Sequence, residues 1–68
     1  MSTLGDELPK EMARVRDVLM PQYLAIGPAG GFALAMMRAE LDRATKALAE
    51  GDLPAMIQSY ARLKDFKD

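Results

Sequence analysis

Sixty-eight residues suffice for one small domain, which buries only about 60% of its unfolded surface and is marginal without a staple, a metal or a partner chain. The chain has no Cys and no His, which excludes disulfides and removes the commonest metal ligand and general base. Nine basic and ten acidic residues give a net charge of −1, which argues against a broad electrostatic grip on nucleic acid. No basic segment precedes an apolar one as in a signal peptide, and no apolar run is read as reaching the ~18 residues of a membrane span. The expected support is therefore oligomerisation, with no cofactor and no metal, and the expected location is the cytoplasm.

In chain order, residues 1–6 read as a frayed N-terminus ending in Asp6 as the N-cap of a first helix over 7–26. Leu8, Met12, Val15, Leu19, Tyr23 and Ile26 recur three and four apart, an amphipathic stripe. Lys10, Arg14 and Asp17 fall on the opposite side. Pro21 removes one helical hydrogen bond, but the stripe continues past it, so one kinked helix is expected rather than two short ones.

Gly27-Pro28 then makes a corner: Pro28 presets a first helical turn and holds Gly27 out of the helical region. A second helix is expected over 28–50. Its main stripe is Gly30, Leu34, Met37, Leu41, Ala44 and Leu48, widened by Ala33. Gly30 and Gly31 in its first turn cost about 1 kcal/mol each relative to Ala, and close approach of another backbone is the expected offset. A phosphate cradle is the weaker reading, since no Lys-Ser/Thr follows the glycines and no strand precedes them. The charged second half, with Arg38, Glu40, Asp42, Arg43, Lys46 and Glu50, reads as a solvated face. Phe32 and Met36 sit opposite the main stripe and make the first half apolar almost all round, which calls for cover on a second side.

Gly51 is expected as a left-handed cap and Asp52 as the N-cap of a third helix over 53–65. Leu53, Met56, Ile57, Tyr60 and Leu63 are assigned to its core face. Ala55, Gln58, Ser59 and Arg62 are assigned to its outer face. Phe66 falls off the stripe.

Three constellations compete for function. Phe32 and Met36, with Ala29 in the corner and Arg16 as a charged rim, form the candidate interface to a second copy or another protein. Gln58, Ser59 and Arg62 form the alternative, the reading face of a helix-turn-helix, since these residue types reach base edges. Lys46, Asp52 and Pro54 sit badly in that motif. The carboxylates form no recognisable acid/base pair, and Ser59 has no evident base, so no enzyme is expected.

Glu11-Met12-Ala13-Arg14-Val15-Arg16, Ile26-Gly27-Pro28-Ala29-Gly30-Gly31-Phe32 and Gly51-Asp52-Leu53-Pro54-Ala55-Met56-Ile57 resemble segments of small helical proteins encoded by temperate phages and prophages of proteobacteria. The resemblance covers most of the chain through a corner and a capped helix start. It implies an accessory protein that binds a host or defence protein, and it transfers no catalytic or binding position.

The sequence thus predicts an all-α single domain: a small three-helix bundle with a kinked first helix, a long second and a short third, forming a homodimer. Its expected role is non-enzymatic, a phage-encoded interaction module that modulates or inhibits a protein in the host cytoplasm.

Overall fold

In the computed structural model, which describes residues 2–67, every regular element is helical and no strand is present among the described residues. The order is α1 (Leu4–Arg14), a π turn (Val15–Leu19), α2 (Met20–Ile26), a 3-10 turn (Gly27–Gly30), α3 (Gly31–Glu50) and α4 (Leu53–Asp65). Helical residues run without interruption from Leu4 to Glu50. The expected three helices are therefore two helical runs, the longer one folded on itself. A straight helix of 47 residues would be about 70 Å long, whereas the longest dimension of the molecule is 36 Å.

The fold-back sits at Gly27, whose φ of 85° and ψ of −145° lie outside the range of ordinary residues. Gly30 makes it tight: a Cβ built there would lie 2.1 Å from the Tyr23 carbonyl oxygen, so α2 and the start of α3 cross at backbone contact. Gly31 meets nothing within 4 Å, so close approach accounts for the first of the two glycines and not the second.

The chain start is more ordered than its composition suggests. Thr3, not Asp6, is the N-cap: its hydroxyl accepts from the Asp6 amide at 3.2 Å while the Asp6 carboxylate accepts from the Thr3 amide at 3.3 Å, a capping box. Helix therefore begins at Leu4 instead of residue 7. Met1, read as part of a frayed end, and Asp68 lie outside the described residues.

Pro21 neither ends the first helix nor leaves it purely α. The turn before it is a π turn, closed by the Met20 amide donating to the Val15 carbonyl, and Pro21 enters in the first turn of α2. The wider turn makes room for a ring that would otherwise press on the carbonyl four residues back.

Gly51 takes the left-handed conformation (φ 65°, ψ 29°), with its amide donating to the Leu48 carbonyl and the Asp52 amide to the Ala47 carbonyl. The Asp52 carboxylate accepts from the Ala55 amide at 3.2 Å and starts α4. α4 then runs back along α3: Ser59 meets Glu40, and Phe66 lines the same surface hollow as Met36.

The core comprises Leu8, Val15, Leu19, Met37, Ala44, Ala47, Met56 and Leu63, with Met12, Met20, Tyr23, Leu41, Leu48 and Phe66 among its partly buried margin. Each fully buried Leu or Met contributes about 1.5–3 kcal/mol relative to exposure. The face of α4 differs from the expected one. Met56, Ser59 and Leu63 point inward, while Leu53 and Ile57 are exposed, because Ser59 follows Glu40 into the interface. Arg14, placed on the solvent side by its spacing, instead turns toward α4 and donates to the Leu63 carbonyl at 2.9 Å and the Phe66 carbonyl at 3.0 Å. The Leu63 carbonyl also accepts from the Phe66 amide at 3.2 Å, so Arg14 reinforces the C-terminal end of α4 at two points. Phe66 folds back onto the core margin, and the Tyr23 hydroxyl donates to the Lys67 carbonyl at 3.2 Å.

Candidate functional site: an apolar hairpin tip

α4 and the residues just after it reach only to the level of Tyr23 and Met36. The hairpin continues beyond that level as two layers, α2 and the start of α3, with no third helix over them. None of the residues from 24 to 36 belongs to the core cluster. Exposure there is high for large apolar side chains: Phe32 80%, Leu24 66%, Ile26 59% and Met36 47%. Val18, at the foot of the first arm, is also exposed. Leu34 and Ala33 are half-buried between the arms, so the tip holds together through its inner face and shows its outer faces to water.

The chemistry of this tip is uniform. From Val18 to Met37 the chain runs 20 residues with no charged side chain. This corrects the expectation that no apolar run reaches the ~18 residues of a membrane span. The helical run contains an 18-residue window that meets such a span's length and composition, although Gly27 folds it into two arms.

The interface residues expected from sequence are brought to this tip in part. Phe32 and Met36 lie one turn apart on α3, and Ala29 is exposed in the 3-10 turn that leads into them. Arg16 is not beside them. It stands in the π turn below the other arm and is tied to its neighbour Asp17 by two hydrogen bonds of 2.8 and 3.0 Å. The hydrogen bond from Arg16, joined by its charge, outweighs slight desolvation and holds the Asp17 carboxyl below its ordinary value. Sequence spacing missed Val18, Leu24 and Ile26. Ile26 in particular completes the core stripe on paper, yet the corner at Gly27 carries it past the end of α4. The readable signal was the length of the charge-free run.

The DNA-reading set fares differently. Gln58 and Arg62 are exposed, but Ser59 is buried and its hydroxyl donates to Glu40 at 2.8 Å. The antiparallel course of α4 along α3 also differs from the steep crossing of a helix-turn-helix.

Glu40 is the one buried carboxylate among the described residues, 2% exposed. Arg43 donates to it at 2.9 and 3.4 Å, and Arg62 approaches at 3.8 Å. Burial raises its pKa, but the hydrogen bonds from Arg43 and Ser59 and the charges of Arg43 and Arg62 outweigh burial and leave it lowered. It was expected to be a solvated charge. It is instead a clamp between α3 and α4, with both oxygens hydrogen-bonded. The polar hollow beside it, lined by Arg43, Lys46, Gln58 and Arg62 together with Glu50 and Asp52, mixes both signs of charge.

The chain matches no known protein family, no characterised protein and no solved structure.

Proposed function

We propose that this protein is a non-enzymatic protein–protein interaction module whose hairpin tip is covered by protein in its working state. The observation that carries the reading is the 80% exposure of Phe32 within a tip free of charge. Several large apolar side chains exposed together on one tip support an interaction site. The sequence resemblance supplies the context, a phage-encoded accessory protein acting on a host protein in the host cytoplasm, as an inhibitor or modulator. The small size of the chain supports a homodimeric form, since a 68-residue core has little stability to spare.

The test is retention of a host protein by the tagged chain. Phe32→Glu and Met36→Glu should each abolish retention while far-UV circular dichroism stays unchanged. Retention that survives both substitutions would move the working surface elsewhere. DNA binding through Gln58 and Arg62 is the weaker alternative, because Ser59 is spent on Glu40. A complex with duplex DNA that weakens steeply with added salt would revive it.

A further inference from the structure

We infer that the occupant of the tip is a second copy of this chain, the two hairpin tips packing together so that four helical arms share one interface. This rests on the reading of the tip as a protein-covered surface and adds the identity of the cover: a host protein then meets the dimer, and tip substitutions remove its retention by dissolving that dimer.

Three observations favour a second copy. The first is area. Phe32, Leu24, Ile26, Met36 and Val18 at their observed exposures leave on the order of 500 Å² of apolar surface in water. Ala25, Pro28 and Ala29 are exposed as well, so the apolar surface around the tip as a whole is of the order of the ~800 Å² per partner of a standard interface.

The second is charge. A two-fold interface sets each patch against itself, so every charge in it risks meeting its like. A tip with no charged residue from Val18 to Met37 has no such conflict. It also lacks the charges by which a surface selects among unrelated partners. At its foot Arg16 and Asp17 form a neutral pair, which offers both signs to a symmetry mate.

The third is length. Each arm rises only about 14 Å from the corner, half of a bilayer's ~30 Å hydrocarbon core.

Sedimentation equilibrium of the intact chain, from low to high micromolar, tests this directly. The expected result is a species of twice the 7.5 kDa chain mass. Phe32→Glu should weaken its association about 100-fold or more, and Met36→Gln should weaken it less. Ile57→Glu, on the exposed side of α4, should leave it unchanged. Phe32 is mostly in water, so helicity by circular dichroism should not move, and Met36→Gln serves as the milder second probe.

A dimer that survives Phe32→Glu but is lost in Ile57→Glu overturns the inference and places self-association on α4. A chain that stays monomeric at every concentration also overturns it, while leaving the tip as an interface for a different protein. A monomer that floats with phosphatidylcholine vesicles, and loses that property in Phe32→Glu, overturns both this inference and the protein-interaction reading.

Discussion

The same two helical arms build the body and the tip of this molecule, and the two regions differ in what lies over them. In the body, α4 closes the third side: Met37, Ala44, Ala47, Met56 and Leu63 are buried together with Leu8 and Val15, and even a carboxylate is taken in with its partners. Five residues beyond Met37, toward the corner, Phe32 stands 80% exposed. The charged residues all lie on the body side of this boundary, but large apolar side chains occur on both sides of it. Burial is therefore set by where α4 stops, and hydrophobicity alone does not predict it.

The largest expected effect tests what joins the two regions. Gly30→Ala places a methyl group against the Tyr23 carbonyl oxygen and should cost about 3 kcal/mol or more, read as a lower urea midpoint and a loosened hairpin. The second test contrasts equivalent truncations on either side of the boundary. Met37→Ala removes a fully buried side chain and should cost about 3 kcal/mol. Phe32→Ser, measured where the protein is dilute, should change stability by less than about 0.5 kcal/mol. Equal costs would mean that the tip is packed as tightly as the body.

The third test addresses the buried clamp. Glu40→Ala strands the Ser59 hydroxyl and should cost about 2 kcal/mol, whereas Glu40→Leu combined with Ser59→Ala, which replaces both partners by apolar groups, should cost much less. The folded-state pKa of Glu40 is lowered, so between its folded and unfolded values the unfolded chain binds more protons. Its contribution is complete above the ordinary value of 4.5 and is lost as pH falls through the lowered folded value. Thermal midpoints of the native chain should therefore fall more steeply than those of Glu40→Leu as pH drops below that value. The smallest effect has the opposite sign. Gly31 is helical and has open space where a Cβ would go, so Gly31→Ala should stabilise the protein by about 0.8 kcal/mol. Two adjacent glycines thus separate a close crossing from a mere weakness in the helix.

The all-helical class was legible because the apolar spacings of three and four persist through each helical stretch, and because Gly51-Asp52 carries a complete stop-and-start signal. The long stripe from Gly30 to Leu48 was read correctly for the same reason. Glu40 was illegible: its partners Ser59 and Arg62 are distant in sequence, and local pattern assigns any acidic residue on a charged helix half to solvent. Ser59 entering the interface then turned α4, exposing Leu53 and Ile57, which the spacing had placed inside. Thr3 was missed because Asp6 offered a plausible cap three residues later, and the capping box uses both. At the tip, sequence identified Phe32 and Met36 as surplus to one core. It could not place Leu24 and Ile26 outside, since that depends on how far α4 reaches.

Arg14 carries a consequence for the order of folding. The corner at Gly27 and the turn at Gly51 each join neighbours across a few residues, so α2 with α3 and α3 with α4 close short loops, which is fast. The hydrogen bonds from Arg14 to Leu63 and Phe66 span 49 and 52 residues and can form only once the two shorter closures have brought α1 and α4 together. Docking of α1 on α4 should thus follow the rate-limiting barrier. Arg14→Leu would then accelerate unfolding in stopped-flow denaturant jumps and leave the refolding rate nearly unchanged. A matching loss in the refolding arm would place that contact in the nucleus instead.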